Sequence, residues 1–484
     1  MTKTRLSALL AVSAAVLLAG CSMIPVLERP AAPIAATYPA YGGTATVAAG
    51  SPASSLAWQD FFADPELKRL IELSLTNNRD LRLAVLNIEQ ARAQYQIRRA
   101  DQLPTVNGVF NGSRTPTASG GINSLYNVGL AVTAYELDFF GRVSSLKEAA
   151  LGQYLATQEG RKTAQISLIA VVANTYLSLL ADEELLDITR QTLATREDSM
   201  KLSKLRFDNG VTSELDFRQA ESLTEAARVA HAQQQRQRAL DVNALTLLVG
   251  QPLPEWSAGL PVAAGVRAPL VQAHPMADVP AGLPSELLTV RPDIRQAEQL
   301  LLASNANIGA ARAAFFPRIA LTVGAGSASG QLSGLLKNGS WGWTLAPQLV
   351  LPIFDAGRNQ VGLDSAKVGR DIALAQYEKA IQTAFREVAD ALATRATLAD
   401  QLGAQQRQAT SEATRFKLSD LRYQNGISSN LDLLDAQRSL FTARQAVVQT
   451  RLAQLQSQVT LYKTLGGGWK EPVDGLDVQA TSKP

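Results

Sequence analysis

Two acidic residues, Asp432 and Asp435, are the side chains whose type and spacing speak most directly of chemistry in this 484-residue sequence. Placed at i and i+3 on a helix, they share one face. Copies gathered about a symmetry axis would repel one another, raise some pKa values and attract protons or a cation. A plainer role competes at two positions. Ser213-Glu-Leu-Asp216 and Ser429-Asn-Leu-Asp432 both have capping-box spacing, so Asp216 and Asp432 can serve simply to start helices. Asp435 escapes that account, because its counterpart in the earlier run is Gln219. Nothing else in the chain suggests catalysis. The two histidines, His231 and His274, lack metal-ligand spacing. There is no nucleophile elbow, no phosphate-binding loop and no paired acids in a cleft-like context. The expectation is a protein that is not an enzyme and holds no metal cofactor, with His231 solvated in a Gln/Arg-rich helix.

The elements that carry these acids occur twice. Leu205-Arg-Phe-Asp-Asn-Gly-Val-Thr-Ser-Glu-Leu-Asp216 returns 216 positions later as Leu421-Arg-Tyr-Gln-Asn-Gly-Ile-Ser-Ser-Asn-Leu-Asp432. Leu103-Pro104 returns as Phe316-Pro317, and Gly141-Arg142 as Gly357-Arg358. A period this long is a duplicated half-molecule rather than a solenoid unit. Each half reads as a helix, two strands, a long helix, an Asn-Gly turn and a returning helix. The first helices run from about Pro65 to Arg99 and Ser285 to Ala314. The long stretches run from about Val143 to Phe207 and Gln360 to Tyr423, roughly 65 residues or about 100 Å of α-helix each. Leu146, Leu151, Leu155, Ile166, Ile169, Val172, Leu177 and Leu180 recur at three- and four-residue steps, the pattern of coiled-coil core. Polar residues at helical spacing argue against a membrane span over 164–181. The returning helices run from Glu214 to Val249 and Asn430 to Leu465. The tips between them, Asn209-Gly210-Val211 and Asn425-Gly426-Ile427, need glycine for a left-handed helix end.

The strand segments alternate. In one, Tyr126, Val128, Leu130 and Val132 face away from Asn127, Gly129, Ala131 and Thr133; in another, Trp341, Trp343, Leu345 and Leu349 oppose Gly342, Thr344, Ala346 and Gln348. Alternation over about ten residues is the signature of a transmembrane β-barrel strand, with Tyr126, Trp341 and Trp343 as membrane-interface aromatics. Four strands cannot close a barrel, and open edges cannot face lipid, so several chains must share one. Two chains give a plugged cylinder and three give room for a pore. The expected fold class is an α+β membrane protein with internal duplication, long antiparallel helices and four strands per chain.

The N-terminus reads as a secretory signal over 1–20, closing on Leu18-Ala19-Gly20-Cys21. That run resembles the bacterial lipobox, which makes Cys21, the chain's single cysteine, the lipidation site and leaves no disulfide within the chain. Ser22 rather than Asp follows it, which points to the outer membrane. Residues 21–62, rich in Pro, Ala and Gly, read as an extended surface tether. The first repeat spans 63–250, a Pro/Gly-rich belt linker 251–284, the second repeat 285–466 and a tail 467–484. Net charge falls from +3 to +1 once Lys3 and Arg5 leave with the signal, which implies no nucleic-acid partner. Charged residues make up 18%, few enough that part of the surface should avoid water.

Gly282-Leu-Pro-Ser-Glu-Leu-Leu288, Arg291-Pro-Asp-Ile-Arg295, Ile308-Gly-Ala-Ala-Arg-Ala-Ala-Phe-Phe-Pro317, Pro352-Ile-Phe-Asp-Ala-Gly-Arg358 and Leu465-Gly-Gly-Gly-Trp469 together resemble the TolC-like outer-membrane factors, in the NodT-like efflux lipoprotein branch. The resemblance covers essentially the whole mature chain. It implies a homotrimer, a twelve-stranded barrel in the outer membrane and a periplasmic α-barrel with an irregular belt. It also implies a periplasmic adaptor and an inner-membrane pump of the resistance–nodulation–division type as partners, with small toxic compounds as cargo. Asp432 and Asp435 match the constriction-ring acids of the family, where a cation could sit, and Asp216 and Tyr423 match positions that hold the tips closed. Asn209, Gly210, Val211, Asn425, Gly426 and Ile427 match the adaptor contact. Ser428 stands where the family carries a basic closing residue, so that link should be weaker or absent. The rival readings are an exit for type I protein secretion and a non-conducting structural envelope lipoprotein.

Overall fold

The computed structural model describes residues 22–28, 31–39, 52–118, 120–254, 270 and 276–470. The signal segment, Cys21, His274, most of the 251–284 linker and the tail beyond 470 lie outside them. The elements in chain order are α1 (Trp58–Phe61), α2 (Pro65–Asn77), α3 (Arg79–Ala100), β1 (Val106–Pro116), β2 (Ile122–Leu137), α4 (Arg142–Asp208) and α5 (Glu214–Val249). The second half supplies α6 (Leu287–Val290), α7 (Pro292–Ala313), β3 (Arg318–Ser329), β4 (Trp341–Val350), α8 (Arg358–Gln424) and α9 (Asn430–Thr464). The two long helices are each 67 residues, so duplication holds to the residue.

Two sequence expectations are corrected. The single first helix is two, because Asn78 is extended and its Oδ1 accepts from the amides of Asp80 and Leu81, starting α3 afresh. The 21–62 segment is not wholly a surface tether. Trp58, Phe61 and Phe62 are buried, and Phe61 stacks on Tyr462 at 4.0 Å, because aromatic area of this size gains most by leaving water. The start of the tail is also held in place. Gln165 donates to the Gly468 carbonyl at 3.3 Å, and the Lys162 ammonium lies 4.9 Å over the Trp469 ring.

The chain forms two compact units, each drawing on both sequence halves. One comprises 1–31, 86–159 and 295–380 and holds the four strands. They form one antiparallel sheet in the order β1-β2-β3-β4. β2 pairs with β3 across a bulge between Val132 and Tyr135, where Ala134 takes a φ of 52°. The helical ends beside the sheet pack through small residues such as Gly152 against Ala303. The other unit comprises 32–85, 160–294 and 381–484. Its core includes Leu70, Ile71, Ile169, Leu179, Leu245 and Tyr462. Ile166, Ile169, Val172, Leu177 and Leu180 of α4 are buried there, as coiled-coil core requires, although this helix is apolar and long enough to cross a membrane. Arg291 is buried and bonds Asp293, Glu387 at 2.8 Å and the Thr464 carbonyl at 2.9 Å, so it clamps the start of α7 to α8 and the end of α9.

Candidate functional site at the helix tips and the strand sheet

The tips are built alike. Gly210 and Gly426 have φ of 70° and 72°, and a Cβ at either would meet nothing within 4 Å, so backbone conformation alone demands glycine. The Val211 and Ile427 amides return to the Arg206 and Arg422 carbonyls, closing the long helices. Asn209 and Asn425 satisfy the Leu205 and Leu421 carbonyls at 2.7 and 2.6 Å. Ser213 and Ser429 then start α5 and α9 with complete capping boxes: each hydroxyl accepts the Asp216 or Asp432 amide at 3.2 Å, and each carboxylate accepts the serine amide. Hydrogen bonds from Thr212 and Ser213 hold the Asp216 carboxyl below the usual range. Exposed apolar side chains follow the repeat, with Val211 73% and Ile427 67% accessible and Leu205, Leu421, Leu215 and Leu431 also exposed.

The halves differ at the predicted closing residues. Tyr423 bonds across to the first tip: Arg206 Nη1 donates to its hydroxyl at 2.6 Å, and the guanidinium lies 5.0 Å from its ring centre. The equivalent Phe207 instead stacks on Phe217. Ser428 indeed offers no charge, and its buried hydroxyl finds no partner among the described residues. The basic group comes from Arg206, which the sequence reading missed.

Asp435 is paired within its own chain. Arg438 and Arg415 both donate to its carboxylate, and these bonds hold its pKa below the usual range. Arg438 was legible at i+3; Arg415 sits 20 positions away on α8 and was not. An open groove of about 760 Å³ beside it is lined by Thr410, Arg415, Arg422, Ser428 and Asp432. Among the described residues no cluster of three or more His, Cys, Asp or Glu is poised for a metal. His231 is half-buried between α4 and α5 rather than solvated, its ring nitrogens 3.1 Å from Thr189 Oγ1 and Gln235 Nε2.

The sheet sorts its side chains as read. Register places Val106, Phe110, Val128, Leu130, Val132, Val323, Trp343 and Leu345 on one face; Asn107, Asn111, Asn127, Gly129, Gly324, Gly326 and Thr344 lie on the other. Tyr126, Trp341 and Trp343 share the apolar face near the loop end of the sheet, and both tryptophans are exposed. Among the described residues β1 and β4 have no strand on their outer edges. The opposite end carries a second apolar set that the alternation pattern did not reach. Leu103 before β1, Phe139 after β2, Phe316 before β3, and Ile353 and Phe354 after β4 are all exposed, the last two by 94% and 90%. Glu136 there accepts from both Arg142 and Arg318 at 2.6 Å.

The outer membrane efflux protein family matches residues 70–251 and 283–467. The chain is 48% identical to the probable efflux pump outer membrane protein TtgC of Pseudomonas putida over 492 residues, covering 99% of each. It is 44% identical to outer membrane protein OprJ of Pseudomonas aeruginosa, covering 94% of this chain and 95% of that one. Among solved structures, the open state of the Neisseria gonorrhoeae MtrE outer membrane channel superposes with a TM-score of 0.83 at 42% identity, covering 93% of this chain and 99% of that one.

Proposed function

The chain belongs to the outer membrane efflux protein family, and from that premise we propose that it is the outer-membrane exit duct of a tripartite efflux pump. Relatives named as toluene and antibiotic efflux components support small toxic compounds as cargo. The observation that carries the reading is the four-stranded sheet, with no strand on either outer edge among the described residues, and its apolar outer face. Lipid tolerates no unpaired edge, so the edges must be filled by other copies. Three chains give twelve strands and a barrel wide enough to conduct. The chain works passively, and specificity lies with the pump that feeds it through an adaptor engaging the exposed tips around Val211 and Ile427.

Cys21 carries the lipid that tethers the mature chain. Asp435 with Asp432, and Tyr423 with Arg206, form the gate. A proton or cation reaching Asp435 must first displace Arg415 and Arg438, so the gate resists opening at neutral pH. The purified full chain in planar bilayers is expected to conduct, and Asp435→Ala to conduct more with a weaker response to added cations. A protein silent under every opening condition would instead be a structural lipoprotein.

A further inference from the structure

The segment just after Cys21 is seated rather than loose. Asn305 Nδ2 donates to the Pro25 carbonyl at 2.7 Å, and Arg312 Nη1 donates to the Met23 carbonyl at 3.3 Å. Asn305 is only 4% exposed, so this is a built contact, not a surface graze. Between the two, Gly309 opens a notch on α7. A Cβ there would lie 2.7 Å from Ile24 Cγ1, 2.9 Å from the Ile24 nitrogen and 2.6 Å from Ser145 Oγ. These contacts also give a direction. As the chain number falls from Pro25 to Met23, its partner on α7 moves from Asn305 to Arg312, toward β3, so the N-terminus points at the strand end.

Ser145 is five residues past Phe140, and Gly309 seven before Phe316; the rings of Phe140 and Phe316 stack at 4.8 Å. At 1.5 Å per residue the notch lies about 8–11 Å from the exposed apolar collar of Leu103, Phe139, Phe316, Ile353 and Phe354. Three extended residues from Ile24 to Cys21 reach roughly 10 Å.

We propose that Asn305, Gly309 and Arg312 form a docking slot for the chain's own Met23–Pro25 segment. The slot delivers the lipid on Cys21 to the level of the apolar collar, so that acyl chains and collar enter the same leaflet of a lipid surface. This rests on the lipidation of Cys21 proposed above. The slot sets the depth of the duct in the membrane, which a lipid on a free tether would leave undetermined.

The test uses the full chain in proteoliposomes of phosphatidylethanolamine and phosphatidylglycerol. With Cys21 acylated, Ile24→Cys and Ser145→Cys supply the only free thiols, and a short bifunctional maleimide is expected to join them in most molecules. Adding Gly309→Ala should cut that yield at least tenfold, and Asn305→Ala severalfold. Alanine otherwise favours a helix over glycine, so a Gly309→Ala chain with undiminished crosslinking and raised stability overturns the slot. In a chain carrying Trp341→Phe and Trp343→Phe, Phe354→Trp should add fluorescence that lipids brominated near the headgroup quench, beyond any quenching of the same chain with Phe354 intact. Absence of quenching in a crosslinked protein overturns the shared leaflet. An N-terminal mass without acyl chains, with crosslinking intact, would overturn the lipidation reading while the slot stands.

Discussion

At the scale of single residues, the first long helix keeps polar groups where burial makes them consequential. Asp182 on α4 is buried, accepts from Gln234 Nε2 at 2.6 Å, and burial together with the neighbouring Asp241 raises its pKa to about 7. Glu183 beside it is paired with Arg238. A carboxyl whose folded pKa exceeds its unfolded value binds more protons when folded, so stability falls as pH rises. The loss begins above the unfolded value near 4 and is complete just above 7. Asp182→Asn is expected to flatten that slope and to gain on the order of a few kcal/mol at pH 8, read from thermal unfolding of the detergent-solubilised protein across pH 4–8. The repeat places Leu398 and Ser457 at the equivalent positions, both buried, so the second half should show no such dependence. Tyr423→Phe removes only the hydroxyl that accepts from Arg206. A hydrogen bond to a charged group contributes about 1.5–3 kcal/mol, so the open population should rise roughly ten- to 150-fold in single-channel records. The aspartates at the tips were legible as types. The partners Arg415 of Asp435 and Arg206 of Tyr423 were not, because each reaches its partner from another helix.

At the scale of elements, glycines decide how closely strands approach. Gly129 and Gly326 oppose one another across β2 and β3; a Cβ on Gly129 would lie 2.3 Å from the Ala325 carbonyl, and one on Gly326 2.2 Å from that of Val128. Gly342 on the next strand has nothing within 4 Å. Gly129→Val is therefore expected to separate the strands at a cost above about 3 kcal/mol, seen as loss of the heat-modifiable band on gels, whereas Gly342→Ser should behave as wild type. Long helices, tips and strands were readable because periods of 3.6 and 2 persist over many residues in each. The break at Asn78 was not, since one residue capping a second helix leaves the periodicity on either side intact. The collar at the strand–helix junctions was also missed, because those apolar residues sit outside any alternating run.

At the scale of the whole molecule, duplication builds the scaffold, and the proposed gate lies where the two halves differ. A chain whose residues 421–432 copy 205–216, combined with Asp435→Gln, keeps both glycine turns, both capping boxes and the buried Leu433 and Leu434 but loses the Tyr423 hydroxyl and the Asp435 carboxylate. It should assemble as wild type by native mass and show higher basal conductance in bilayers; a conductance equal to wild type would move the gate elsewhere. The sequence alone determined the duplicated helix–strand order, the lipid-facing alternation and the glycine turns with their capping boxes, because each depends on spacing along a few dozen consecutive residues. Tertiary structure decided which charges meet. Arg206 lies beside Tyr423 from 217 positions away, and Arg312 reaches the Met23 carbonyl across 289. Pairings at such separations are fixed by how helices pack, and helix packing is settled by buried area and close fit that no local spacing records.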